Sequence, residues 1–421
     1  MGVDKGDAYA TPINIALTRR KSKLSRPCIR KTFMTRILFI TWDGPQSSYL
    51  EGLFCSIFKG LAEHGHHFHV LQFTWANTEA VLRTKAICEA AGIPYQSALI
   101  WRKVGSAGPL SSAILGRSHI WNAIRNWNID TLMPRSLMPA LAVLAMGSRR
   151  GLKLVFDADG FAADERVDFG GLSPKSATYR ILRAVEARTA KVADQVLVRT
   201  PSAIELLVDR SGADRAKFYV VGNGRDPTPY LRDWPQRTDN EFRLCYAGSL
   251  GGKYYIDQMI EVAKGLRAHI PNLVFCIFTS DKTNLDVALD RSGVTERHWI
   301  QVSRLPPEEM PAALIQCDLA LALFQRAFSM QFVLPIKLGE YLLAGLPIIG
   351  TAGVGPVEPL IEAGVMLPLN EDLSEVWPWV RDNVISQQIA ISKRSHAIGL
   401  AHFSLQASVD SYLAALEQNT A

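Results

Sequence analysis

Cysteine is scarce and scattered in this chain. The six residues at positions 28, 55, 88, 245, 276 and 317 form no C-x-x-C pair and no spacing that suits a metal. Most fall in apolar segments, which reads as reduced core thiols and a cytoplasmic setting rather than a disulfide framework. Long apolar runs are missing too. The longest candidate, residues 137–147, is too short for a bilayer span and suits a buried helix. No G-x-G-x-x-G follows the first β-α-β unit, so a dinucleotide fingerprint is absent, and no internal repeat longer than that unit recurs. The first 34 residues lack the apolar centre of a secretory signal. They carry eight basic and two acidic residues, which accounts for the whole formal charge of +6; the remainder is neutral. Nothing therefore argues for a folded basic groove or a nucleic-acid partner. The extension reads as a disordered tail, with Met34 as an alternative start; peripheral contact with an anionic membrane face stays open.

What is present suits a globular protein of two domains. The 421 residues exceed one ordinary core, and 48% hydrophobic with 20% charged is a globular balance. From Arg36 onward, short apolar runs alternate with helical periodicity: a strand at Arg36–Thr41, a helix at Leu50–Glu63, a second strand at Phe68–Phe73. The alternation continues to Phe218–Val221 with one looser segment at Gly105–Ser111, and it resumes at Phe242. Such spacing implies parallel sheets wound on both faces, an α/β class whose ligands gather at the C-terminal ends of the strands.

Three stretches carry chemistry. In Ser329–Gly353, Pro335 is suited to open a helix and Gly345 to end it. Lys337 and Glu340 then share one face near the positive end of the helix dipole. Two readings stay open: an exposed i,i+3 ion pair, which spacing alone favours, or a site where Lys337 meets a diphosphate and Glu340 accepts from ribose hydroxyls. A second stretch, Asp157–Asp168, holds Asp157, Asp159, Asp164, Glu165 and Asp168 just after a buried strand. They could bind sugar hydroxyls, coordinate a metal or cap the next helix, with hydroxyl binding ranked first. The third is Gly248-Ser249-Leu250-Gly251-Gly252-Lys253, a glycine loop that lets backbone N–H groups approach a phosphate.

The run P-I-K-L-G-E-Y-L-L-A-G-L-P-I-I from Pro335 resembles the donor-site signature of GT-B glycosyltransferases of family 4, in which P-S/T-K-x-x-E-Y-L-A-x-G-x-P-V-I recurs. Further matches run in order from Arg36 to about residue 415. Phe156–Val167 is similar to F-D-x-R-G-x-x-x-D-E-R-V, with Asp159 where an Arg is usual. Tyr246–Tyr254 resembles the G-R-L…K loop, with Ser249 for the Arg and Lys253 offset by one. Val220–Asp226 matches a V-I-P-N-G-V-D hinge, and Ala401–Ser404 the point where GT-B chains cross back.

The resemblance implies two Rossmann-like domains facing a cleft: a basic extension at 1–34, an acceptor domain at 35–225, a donor domain at 226–395 and a crossing helix at 396–421. It implies a retaining, metal-independent transfer from a nucleotide-diphosphate sugar, as co-substrate without further cofactor, to a glycan or lipid-linked glycan hydroxyl in cell-surface polysaccharide synthesis. Lys337, Lys253 and Asp157 would be catalytic. Glu340, Gly248, Ser249, Gly251, Arg304, Leu305 and Gly44 would bind donor, and Asp164 and Glu165 acceptor. Two family features are missing: a His close to Asp157, and a second Glu at the position of Phe332. A GT-B epimerase or hydrolase, or a non-catalytic sugar-nucleotide binder, is the alternative.

Overall fold

The computed structural model describes residues 34–45, 49–100, 107–231 and 240–418, with only the backbone at 107. The basic extension through residue 33, Cys28, the loop residues Gln46–Ser48 and the first part of the 105–111 segment lie outside the described residues.

Two parallel sheets make up the molecule. The first contains β1 (Thr35–Asp43), β2 (His66–Thr74), β3 (Tyr95–Leu99), β4 (Thr131–Pro134), β5 (Lys153–Asp157), β6 (Gln195–Val198) and β7 (Phe218–Val220), in the order β3-β2-β1-β4-β5-β6-β7. The second contains β8 (Phe242–Ala247), β9 (Leu273–Phe278), β10 (Ile300–Ser303), β11 (Leu319–Ala322), β12 (Ile348–Thr351) and β13 (Met366–Leu369), in the order β10-β9-β8-β11-β12-β13. Every pairing is parallel. Both order lists reverse direction beside their first strand, the topology that opens a crevice beyond the C-terminal strand ends. Central strands such as Ile37-Leu38-Phe39-Ile40 and Leu319-Ala320-Leu321-Ala322 are buried on both faces, as helix-covered sheets require.

The helix Ile336–Leu343 starts one residue later than the sequence suggests: Pro335 has an extended ψ of 123° and stands before the first helical residue. Its C-terminal end is closed by Gly345 at φ 72°, with the Gly345 N–H donating to the Leu342 carbonyl at 2.9 Å and the Leu346 N–H to the Tyr341 carbonyl at 2.8 Å. This is a Schellman closure, which satisfies the last carbonyls before β12 begins. The looser segment is instead a helix, Ala107–Leu115, with Pro109 in its first turn where no N–H is needed.

The lobes are joined twice. The hinge strand β7 leads to Val221-Gly222-Asn223-Gly224-Arg225, and the chain returns at Ser404. There the Arg225 N–H donates to the Phe403 carbonyl at 2.9 Å and the Leu405 N–H to the Arg225 carbonyl at 2.6 Å. Gly224 is obligatory at this crossing, since a Cβ there would lie 1.9 Å from the Ser404 carbonyl oxygen. The helix Gln388–Phe403 packs in the C-terminal core, whereas Leu405–Glu417 buries Val409, Tyr412, Ala415 and Leu416 in the N-terminal one. The break between them falls at Ser404, within the segment expected to cross.

Candidate active site

The two sheets point their C-terminal strand ends at one another, and the chemistry-bearing residues collect there. On the C-terminal lobe, β8 runs into the glycine loop. Gly248 adopts φ 134°, and a Cβ on it would come within 3.0 Å of Lys337 Nζ, so the missing side chain lets the ammonium sit against the loop. Tyr246, at the end of β8, donates its hydroxyl to the Ser249 carbonyl and lies 3.1 Å from Lys337 Nζ. Ser249 and Gly251 are exposed, and a Cβ at Gly251 would meet nothing within 4 Å. The Leu250 N–H is fixed by the Asp281 carboxylate at 2.8 Å.

Lys337 has an unusual setting. Its ammonium is 4.2 Å from the ring centroids of both Tyr246 and Tyr254 and 5.4 Å from that of Phe324. These faces attract a cation but hydrate it poorly. Among the described residues no carboxylate pairs with it. Burial pushes its pKa down to about 7, with Glu340 pulling weakly the other way. The exposed i,i+3 pair is therefore not formed. Glu340 turns instead to the hinge, accepting from Arg225 Nε at 2.9 Å, while the same guanidinium donates to the Gly52 carbonyl of the opposite lobe. Arg225, which stands where the hinge motif has Val, went unnoticed in the sequence.

On the N-terminal lobe, β1 and β5 end in Asp43 and Asp157, and β4 and β6 are followed at once by Arg135 and Arg199. Asp157 is fully buried, with its two oxygens 2.8 and 3.0 Å from one nitrogen of Arg199. Burial is the largest influence on Arg199 and acts to lower its pKa; Asp157 and Asp159 outweigh it and hold the guanidinium above its ordinary range. Asp159, at φ 45°, pairs with Arg135 and lies 3.5 Å from Arg199 Nε. A cation just after β4 thus meets the carboxylate that stands where the resemblance has an Arg. Arg135 in turn lies under the Tyr49 ring, 5.3 Å from its centroid. Tyr49 is within electrostatic reach of Asp159, Arg135 and Glu165 on its own lobe and of Tyr254 on the other, so these groups face one another across the cleft.

Each carboxylate of the stretch has a partner within the fold. Asp157 and Asp159 serve the arginines, and Asp164 accepts from Tyr179 Oη at 2.8 Å and from Arg210 at 2.8 and 3.2 Å. Asp164 therefore ties the helix Ala162–Gly170 to its neighbours, and its expected acceptor contact rests on no free oxygen. Glu165 pairs with Lys253 of the glycine loop, and Asp168 accepts from the Ser329 N–H at 2.8 Å. The helix Ala162–Gly170 is thus sewn to the C-terminal lobe along one face. Phe332 belongs to the same seam: it is buried, 4.8 Å from the Phe161 ring, within the core of the opposite lobe. Hydrophobic closure occupies the position where the resemblance implied a second Glu.

The remaining expected residues sit at the rim. Gly44 lies against Trp75, where a Cβ would come within 2.4 Å of the indole. Arg304 is exposed and Leu305 half-buried in the loop after β10, at the edge of the sheet. Among the described residues, no three His, Cys, Asp or Glu side chains form a group able to hold a metal ion, and no helix is long and apolar enough to cross a membrane. Arg135 and Arg199 each follow a strand of the first sheet; searching strand ends for cations would have found both.

Residues 54–224 match the model of the glycosyl transferase 4-like domain. That segment of the first lobe is thus similar to glycosyl transferase 4-like domains. The fold of the chain is GT-B, shared with a set of solved structures of low sequence identity. HepE from Anabaena in complex with UDP matches at TM-score 0.63 and 17% identity, covering 91% of this chain and 99% of that chain. A glycosyltransferase from Rickettsia africae matches at TM-score 0.66 and 13% identity over 92% and 100%. UDP-GlcNAc 2-epimerase from Neisseria meningitidis bound to UDP-GlcNAc matches at TM-score 0.58 and 11% identity over 91% and 100%. No curated protein sequence matches this chain.

Proposed function

We propose that the cleft transfers a sugar, with retention of anomeric configuration, from a nucleotide-diphosphate sugar to a hydroxyl of a glycan or lipid-linked glycan. The observation that carries this reading is Lys337. It is a caged ammonium with no carboxylate partner among the described residues, placed against a glycine loop with exposed backbone, in a cleft where Arg135, Arg199, Arg225 and Lys253 each have a carboxylate. A diphosphate supplies the missing charge and takes hydrogen bonds from the loop. Glu340, held by Arg225 through one oxygen, offers its other oxygen to the ribose diol.

Catalysis is then electrostatic. Lys337 stabilises charge growing on the departing diphosphate, and a diphosphate oxygen takes the acceptor proton. The scheme needs no metal. Gly44 and the face bearing Tyr49 line the acceptor side. Asp157 acts there through Arg199, as a positioning group buried away from the reacting atoms. The structural similarity to HepE, solved with UDP-glucose, supports a nucleotide sugar as donor. The similarity to an epimerase keeps one rival: donor consumed with no acceptor present.

A thermal-shift panel of UDP-, GDP-, ADP- and CMP-sugars tests the reading. One nucleotide series is expected to raise the melting temperature with saturation; a flat response across the panel contradicts it.

Proton linkage gives a sharper check. Lys337 is about half neutral near pH 7, and a bound diphosphate raises its pKa, so binding takes up a proton. Affinity falls as pH rises above 7, by about tenfold between pH 7 and 8.5. Calorimetry in buffers of differing ionisation heat measures the uptake. A pH-independent affinity, or the same slope in Lys337→Met, rules out the lysine as the linked group.

A further inference from the structure

The two residues that the sequence divides between substrates, Lys253 on the donor side and Glu165 on the acceptor side, hold each other across the cleft. Both side chains are more than one-third exposed, 38% and 39%, so the pair is a solvent-screened contact and not a buried clamp. Lys253 also lies over the Phe169 ring, 5.9 Å away on the same helix, and its backbone carbonyl is fixed by the Gln325 N–H at 2.8 Å. The backbone is anchored, and the ammonium is free to change partner.

A diphosphate in the glycine loop offers Lys253 two negative charges and charge-assisted hydrogen bonds in place of one carboxylate. Lys253 cannot serve Glu165 and the diphosphate equally. Glu165 sits within electrostatic reach of Tyr49, on the side where an acceptor enters.

Resting on the donor reading above, we propose that Glu165 is an acceptor-positioning carboxylate kept masked by Lys253 until a nucleoside diphosphate claims the lysine. Donor binding then releases Glu165 to accept from the incoming sugar hydroxyl, and substrates bind in a fixed order, donor first. In the empty enzyme Glu165 is a competitor for the donor site. An acceptor arriving early meets a carboxylate whose charge is shared with an ammonium through Oε1.

A double-mutant cycle on nucleotide binding isolates the competition. UDP, GDP and ADP are titrated into the wild type, Glu165→Gln, Lys253→Gln and the double variant, all as the full chain. Glu165→Gln is expected to tighten the preferred diphosphate about two- to fivefold when Lys253 is present, the range of an exposed ion pair, and to change nothing in the Lys253→Gln background. The same gain in both backgrounds means only that an anion was removed nearby, and overturns the masking. An unchanged or weakened affinity in Glu165→Gln overturns it too. If the wild type binds none of the three diphosphates, the donor reading fails and takes this inference with it. Binding to the wild type with no Glu165 effect leaves the donor reading standing alone.

Discussion

Lys337→Met lowers turnover by about one to three orders of magnitude, the range for a lost electrostatic donor at a developing negative charge. Methionine keeps the aliphatic stem among Tyr246, Tyr254 and Phe324, so the cage stays filled and the change isolates the charge. The fold is expected to hold or gain stability, because burial of the ammonium, which lowers its pKa to about 7, is an unfavourable contribution that methionine removes. The sign is explicit: the native state binds the lysine proton less tightly than the unfolded chain. The corresponding stability of the wild type therefore increases with pH above about 7 and levels off above the ordinary lysine value. The measurement is initial rate with the nucleotide sugar selected by the thermal panel, beside a melting curve. Unimpaired turnover with that donor removes Lys337 from the mechanism. A collapsed melting temperature would mean the lysine is structural.

The second large effect is on stability. Arg199→Met leaves the fully buried Asp157 without its two-oxygen partner, a change expected to destabilise the N-terminal lobe by about 3–5 kcal/mol. Arg135 offers poor relief, with its Nε 3.9 Å away and its stronger contact on Asp159. The double change Arg199→Met with Asp157→Leu removes both charges and is expected to recover much of the loss. Urea denaturation with probes in each lobe is the appropriate readout, since a chain of two cores need not unfold in one step. A single variant within about 1 kcal/mol of the wild type would show that Asp157 is solvated or protonated and needs no arginine.

Strand and helix alternation was legible because nearly every central strand is an uninterrupted apolar run, and the two parallel sheets follow from it. The longest helix of the C-terminal lobe was not. Gln388–Phe403 buries Ile391, Ser392, Ser395, Ile398, Gly399 and Phe403, a face half made of small and hydroxyl residues. A Cβ on Gly399 would stand 2.6 Å from the backbone of Leu342 and Leu343. Backbone packed this closely calls for small side chains, and a small-residue face carries little hydrophobic periodicity.

At the site, the sequence singled out the segments after β5 and β8 and could not name the partners their side chains meet. Glu340 with Arg225, Glu165 with Lys253 and Asp159 with Arg135 are pairs joined only by the tertiary fold. Phe332 shows the same limit: in the linear sequence it is a missing carboxylate, and in space it is a plug seated against Phe161.

The return of the chain at Ser404 has a consequence for biosynthesis. The N-terminal core is not contiguous: Val409, Tyr412 and Leu416, added last, fill the same cluster as Phe39 and Phe58. A nascent chain emerging from the ribosome holds that cluster incomplete through translation of the whole other lobe. The first lobe to begin folding is thus the last to finish, and its late hydrophobic vacancy is where a chaperone has most to protect.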